Sequence, residues 1–376
     1  MSLERLQQLS DGARVYLVPV GFVYGDAGAF AFASTGLMFS GFRILAREGE
    51  KLLLDFRISA ADLDVCINQL KGTVFAQVAA QCANLKAVRP AMKLPGLQNP
   101  LVFSKPLIMG VLNVTPDSFS DGGKYLDPSH ALAHARTLIA QGADIIDIGG
   151  ESTRPGAQPV WEGEEARRVV PVIEALQADG VPLSIDTRHS FVMDKALEAG
   201  AHIINDVTAL SYDAESMRLA AAASDAPIIL MHSQGSPKTM QENPSYNNVL
   251  LDVYDYLSAR IAACELAGID RSRLILDPGI GFGKRMVRDN LALINGLVLF
   301  HALGCPILFG ASRKSFIGAV TGEENVAKRL PASIAAACKA VEAGVQIVRV
   351  HDVAETKQAL LMVQGFRDAA IMDAAR

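Results

Sequence analysis

A chain of 376 residues, half of them hydrophobic and a fifth charged, has enough apolar mass for one large core and a smaller one. Its net charge of −5, with both signs interspersed, excludes the basic stripe of a nucleic-acid binder and leaves room only for a local anion site. Five scattered cysteines with no C-x-x-C pair read as reduced thiols rather than a zinc site.

The amino terminus shows no basic segment followed by an apolar core and a small-residue cleavage site. The uncharged run at 27–42 has 16 residues, below the ~18 of a membrane span. A soluble, cytoplasmic protein is expected. Residues 14–18 and 42–58 read as strands, the latter a hairpin turning at 48–50, and 62–82 carries apolar residues at helical spacing. Residues 1–95 therefore read as a small α+β domain without a catalytic constellation, and the Pro-rich stretch 96–106 as a linker to the larger carboxy-terminal part.

From Leu107 onward short apolar runs alternate with helical stretches. The runs are 107–112, 145–148, 183–185, 203–204, 228–231, 274–276, 307–309 and 347–350; helical stretches include 131–141, 164–178, 191–199, 249–267 and 327–343. Eight runs in such alternation over 107–376 predict an α/β fold, a (β/α)8 TIM barrel. A doubly wound open sheet lacks its G-x-G-x-x-G turn here.

Nearly every run ends in reactive groups: Asn113; Asp147 and then Glu151; Asp186 and Arg188; Asn205 and Asp206; Met231 and His232; Asp277; Ser312 to Ser315; Arg349 and His351. In a barrel these ends share one rim, where barrel enzymes place their sites. Asp186, Asn205 and Asp277 suit a planar heterocycle with several N–H donors and carbonyl acceptors, although Asp186 alone could be a helix cap. Arg154, Arg349 and His351 suit an anion such as a diphosphate, Asn113 could add a ligand to Mg²⁺ on it, and Lys314 could bridge the two halves. The glycine-rich 279–284 stretch lacks P-loop spacing and is discounted as a phosphate cradle.

MGVLNVTPDSFSDGG at 109–123, ESTRPG at 151–156, IIND at 203–206, DPGIGFGK at 277–284, SRKS at 312–315 and RVHDV at 349–353 occur in this order. In them the chain closely resembles the dihydropteroate synthases of the pterin-binding enzyme family, over about 107–361. The resemblance implies a transferase of folate biosynthesis that condenses 6-hydroxymethyl-7,8-dihydropterin diphosphate with 4-aminobenzoate, by departure of diphosphate and capture of a pterin-methyl cation. It implies that Asp186, Asn205, Asp277 and Lys314 hold the pterin with Met231 near its ring, and that Asn113, Arg154, Arg349 and His351 hold diphosphate and Mg²⁺. Thr153, Pro155, Phe282 and Ser315 would shape the aminobenzoate site. The 114–123 and 151–156 loops would close over it, with Phe119 and Asp121 reaching in and Asp121 stabilising the cation. A homodimer is also implied.

The departures are His189, where the family often has Lys, Ser233-Gln234 for Met-Arg, and Leu330-Pro-Ala-Ser333 for Leu-x-Gly-Ser. Two alternatives are a methyltetrahydrofolate–corrinoid methyltransferase-like pterin barrel, which has no use for 312–315, Arg349 and His351, and a non-catalytic pterin-binding paralogue.

Overall fold

The computed structural model describes residues 2–23, 29–33, 35–115, 128–152, 157–235 and 239–374. After α1 (Ser2–Gln7), four antiparallel strands form one sheet: β1 (Arg14–Val23), β2 (Phe30–Phe32), β3 (Leu37–Glu48) and β4 (Lys51–Ser59), with β3 pairing to all the others. The sequence places the β3–β4 turn correctly but misses β2, a three-residue strand too short to carry a period. The helix expected over 62–82 is two, α2 (Ala60–Cys66) and α3 (Gly72–Lys86). A 3-10 turn at Ile67–Gln69 separates them, followed by an extended Leu70 and by Gly72 at φ 60°. Gln77 and Gln81 of α3, one turn apart, bond the backbone of Ala13, Val15 and Leu17 and so stand in for a strand along the free edge of β1.

The barrel strands are β5 (Leu107–Asn113), β6 (Ile145–Gly149), β7 (Leu183–Asp186), β8 (Ile203–Asp206), β9 (Ile228–Met231), β10 (Leu274–Asp277), β11 (Leu308–Phe309) and β12 (Ile347–Val350). They pair in parallel in the order β10-β9-β8-β7-β6-β5-β12-β11, and a Leu276–Ile307 bridge links β10 to the start of the seventh barrel strand, closing the ring. This is the (β/α)8 barrel expected from the alternation. The outer layer comprises α4 (Pro128–Gln141), α5 (Glu162–Leu176), α6 (Ser190–Glu198), α7 (Ser216–Ala222), α8 (Val249–Leu266), α9 (Arg288–Asn295), α10 (Ser315–Thr321), α11 (Leu330–Glu342) and α12 (Val353–Ala374). None of the helices among the described residues is long and apolar enough to cross a membrane.

Two apolar clusters divide the work. The larger runs without a break from the amino-terminal sheet (Tyr16, Phe32, Phe39) through Leu297 and Phe300 into the layer between strands and helices. The smaller lies inside the barrel: Leu107, Met109, Ile145, Ile203, Ile229, Ile275, Leu308 and Ile347, covered from below by Met92, Leu94, Leu101 and Phe103. Met92 and Leu101 exchange two backbone hydrogen bonds, of 2.9 and 2.7 Å. The Pro-rich stretch read as a linker thus supplies Leu101 and Phe103 to the barrel's floor, with Met92 and Leu94 from just before it; the prolines gave no period because the segment is held by side-chain packing around one tight pairing.

Candidate active site

Successive side chains alternate across a strand, so the residue two positions beyond each floor residue also points into the barrel, one layer higher. From Ile145, Ile203, Ile229, Ile275 and Ile347 this step leads to Asp147, Asn205, Met231, Asp277 and Arg349. The apolar layer seals the bottom and the polar layer above it is the site.

Arg349 is its hub. Its Nε donates to Asp147 Oδ2 at 2.6 Å and its Nη2 to Asp186 Oδ2 at 2.7 Å. Asn205 Nδ2 donates to both oxygens of Asp147, at 3.2 and 3.1 Å. Burial opposes the guanidinium charge, but the two carboxylates outweigh it and hold Arg349 above its ordinary range. Burial pushes the Asp186 carboxyl up to about 7; Arg349 pulls the other way, while Asp147 shares the same cation and repels. Asp186 Oδ1 is buried with no hydrogen-bond partner. An orphan acceptor in a polar layer costs stability unless a ligand donor meets it.

Asp277, at the end of β10, accepts from Gly279 N at 2.7 Å; burial raises its carboxyl, with Lys314 the largest opposing charge. Burial, opposed by Asp277, lowers the half-buried Lys314 ammonium to about 8. That ammonium donates to Ile280 O and lies 4.6 Å from the centre of the Phe282 ring. Arg313, just before it, sits at φ 60°, a strained conformation for a non-glycine residue. Its backbone N–H donates to Ser333 Oγ at 2.9 Å, and its guanidinium pairs with Asp352. Ser333, the last residue of the departing 330–333 sequence, thus holds this turn through its hydroxyl, which also donates to Arg329 O at 2.8 Å. His351 Nδ1 lies 3.1 Å from Ser312 Oγ, joining the seventh and eighth strand ends.

The 279–283 loop is held at every carbonyl. Fully buried Lys284 donates to Gly279 O (3.0 Å) and Phe282 O (2.9 Å), Lys314 to Ile280 O, Gln241 to Gly281 O and Tyr246 to Gly283 O. Burial pulls Lys284 down to about 7 and, aided by Lys284, His232 down to about 2, so His232 stays neutral with Nδ1 at 2.9 Å from the lysine Nζ. Gly279 (φ 70°) admits no side chain, since a Cβ would stand 1.9 Å from His232 O. Held at each carbonyl, the stretch is a wall carrying Phe282.

On the other side, Glu151 receives Arg188 through two bonds of 2.9 Å and Val160 N at 3.1 Å, tying Glu151 and Val160 to the turn that follows β7. His189, the departure from lysine, pairs with fully buried Glu165 at 2.8 Å, which raises its pKa. Glu151, Glu165 and His189 could together approach a metal, but both Glu151 oxygens are taken by Arg188.

Of the expected site residues, Asn113, Asp186, Asn205, Met231, Asp277, Phe282, Lys314, Ser315, Arg349 and His351 all stand at or just beyond the upper ends of barrel strands. Phe119, Asp121, Thr153, Arg154 and Pro155 lie outside the described residues. Several participants carry no role in the sequence-based expectation, among them Asp147, Glu151, Arg188, His232 and Lys284. Asp147 interrupts an otherwise apolar strand on its inward face and Arg188 stands just past a run's end, whereas Lys284 has no such local mark. Asp206 spends its carboxylate on Thr208 and Leu210 and is structural.

Residues 109–351 match the family described as pterin binding enzyme. Dihydropteroate synthase of Neisseria meningitidis serogroup B is 53% identical over 68% of this chain and 91% of that protein, and the Escherichia coli K12 enzyme is 48% identical over 73% and 96%. A crystal structure of Yersinia pestis dihydropteroate synthase with a sulfonamide drug complex superposes with a TM-score of 0.70 at 44% identity, covering 74% of this chain and all of that one. The Xanthomonas albilineans enzyme in complex with 7,8-dihydropteroate gives 0.67 at 42% identity, covering 74% and 99%. An inward polar layer of two acids, an amide and an arginine above a sealed floor, on a scaffold shared with these proteins, makes this chain a member of the pterin-binding enzyme family, among its dihydropteroate synthases.

Proposed function

We propose that this rim condenses 6-hydroxymethyl-7,8-dihydropterin diphosphate with 4-aminobenzoate, and that the buried acceptor Asp186 Oδ1 marks the pterin pocket. Asp186, Asn205 and Asp277 meet the N–H and carbonyl edge of the ring, with Met231 and Lys314 along its faces. Arg349 Nη1, without a partner among the described residues, is left for the diphosphate with His351, Lys314 and Arg154. Phe282 and Ser315 face the aminobenzoate, with Thr153, Pro155 and Phe119 completing that side from loops outside the described residues.

In the reaction the C–O bond to diphosphate breaks with its electron pair on the leaving oxygen, and the arylamine lone pair forms the C–N bond. The amine proton then passes to solvent. No activated nucleophile is required; the site stabilises departing negative charge and keeps water out. Asp121 would stabilise the transient cation.

The residues fit Mg²⁺ in a limited way: Asn113 ends β5 with its amide unpartnered among the described residues, while the nearby acids are engaged with Arg349 and Asn205. That single protein oxygen suits an ion completed by diphosphate and water. When bound, the ion would neutralise charge on the leaving group.

Diphosphate release measured with and without 4-aminobenzoate tests the function: aminobenzoate-dependent turnover is expected, and its absence rejects the reading. The same assay on Asp121→Asn is expected to show a lowered kcat, and wild-type turnover at saturating substrates would remove that role. Lys314 is expected to set the alkaline limb of kcat/KM for the pterin diphosphate near pH 8, where its ammonium loses its proton. Lys314→Arg should carry the limb upward, and a profile flat well above pH 8 would take Lys314 out of the charged set. Because its folded pKa is depressed, the protonated lysine lowers stability, and that penalty is relieved as pH rises from about 8 toward the unfolded value of 10.5.

A homodimer through α12 is supported by exposed Leu361, Met362, Phe366 and Met372 on that helix, since apolar side chains clustered on one element mark a contact surface. Sedimentation of Phe366→Asp should then show monomers; an unchanged mass would exclude this face.

A further inference from the structure

Residues 1–95 lie outside the matched family region, yet among their contacts with the barrel is a charged one at the start of α8. Arg47 of β3 donates through Nη1 to Asp252 and through Nη2 to Asp255, both in the first two turns of α8, and through Nε to Tyr16 Oη at 2.8 Å. The Tyr16 hydroxyl in turn donates to Asp255 at 2.8 Å, and Arg14 adds a second cation to Asp255 at 2.9 Å. The Arg47 and Asp255 side chains are only 11% and 14% exposed, so this is a desolvated network with fixed geometry, unlike the screened surface pairs that contribute little.

Asp252 faces two ways. One oxygen takes Arg47, and the other accepts the backbone N–H groups of Asn247 and Asn248, each at 3.1 Å, where the chain enters α8. Tyr246, the next residue upstream, donates its hydroxyl to Gly283 O, and Gln241 donates to Gly281 O. Those two carbonyls flank Phe282, whose ring lies beneath the Lys314 ammonium. Hydrogen bonds joined by the 246–248 chain therefore lead from Arg47 through Asp252 and Tyr246 to the wall that carries Phe282.

We infer that the amino-terminal unit is a buttress for the aminobenzoate side of the site, with Arg47 and Tyr246 as positioning residues that fix Phe282 through the α8 entry. The inference rests on the assignment of Phe282 to aminobenzoate made above. The pterin side leans on this support less, because Asp186, Asn205 and Asp277 belong to barrel strands locked by their own ladders and only Lys314 and the Asp277–Gly279 bond reach the 279–283 loop.

The test uses the full-length chain carrying Arg47→Ala, Arg47→Lys, Tyr246→Phe and the Arg47→Ala/Tyr246→Phe pair. Arg47→Ala is expected to raise the KM for 4-aminobenzoate about fivefold, the size of a remote coupling, and to raise the KM for the pterin diphosphate by less than about twofold. Tyr246→Phe should reproduce that split, the double variant should be no worse than Arg47→Ala alone, and Arg47→Lys should recover part of it. A merely destabilised protein would lose active fraction and shift neither KM. Hydrogen exchange over 279–284, read by mass spectrometry, should rise in Arg47→Ala and in Tyr246→Phe, a readout that does not depend on turnover. Unchanged exchange in both variants, or two KM values that rise together, overturns the inference. A wild-type protein without turnover but with the exchange response rejects the assigned reaction while leaving the buttress standing. If Arg47→Ala does not fold, Tyr246→Phe decides.

Discussion

Asp186→Asn is expected to bind the pterin diphosphate about a hundredfold more weakly, with kcat/KM falling by at least as much, while melting no lower than the parent. The loss follows from replacing a charged acceptor whose Oδ1 is reserved for a ligand donor; a hydrogen bond to a buried charge carries about 1.5–3 kcal/mol. The gain in stability follows from linkage. Burial raises the folded carboxyl from 3.8 to about 7, so its stabilising contribution is complete below the unfolded value and lost as pH rises through about 7. At alkaline pH the parent carries a penalty that the amide lacks, so the variant's advantage in Tm should be larger at about pH 8 than at about pH 5. Titration calorimetry with the pterin and thermal unfolding at both pH values measure the two halves separately. A variant that melts well below the parent at about pH 8 would show that the pairing with Arg349 outweighs burial.

Arg349→Ala should move both quantities downward. It strips the cation from fully buried Asp147 and from Asp186 together, and breaking a buried pair on one side costs about 3–5 kcal/mol. It also removes the donor assigned to the leaving diphosphate, for which a loss in kcat/KM of about 10²–10³ is expected. Arg349→Lys keeps a charge but cannot fork to two carboxylates 163 and 202 residues away in sequence, so it should recover stability in part and activity less. Unfolding curves and steady-state diphosphate release on the same preparations measure both. Activity within tenfold of the parent in a folded Arg349→Ala protein would remove Arg349 from the leaving-group site.

The two variants also show which part of the site was legible in sequence. The eight strand ends could be read because burial on both faces leaves each barrel strand as a short apolar run, and the first polar residue after it marks the rim. Asp147 gained no role there because it lies inside its run; only the inward register with Ile145 reveals that it faces Arg349. Lys284 resembled part of a phosphate loop because spacing does not show that its ammonium turns back onto the loop's own carbonyls. The Glu151–Arg188 pair and the Arg47–Asp252 contact join residues 37 and 205 positions apart, and no local period encodes such partners. The split of α2 from α3 was hidden because apolar spacing continues across it, while the break is written in backbone dihedrals at Leu70 and Gly72.

The floor beneath the barrel governs where this polypeptide can be divided. A cut at the prolines, the natural choice from composition, would take Met92, Leu94, Leu101 and Phe103 away from eight inward apolar side chains and open the catalytic half to water from below. The seam that keeps the floor with the barrel lies earlier, between the end of α3 at Lys86 and Arg89, which fastens to His301 O. The barrel as an inheritable piece therefore begins about fifteen to twenty residues ahead of its first strand, and a fusion partner attached at that earlier seam leaves the floor intact.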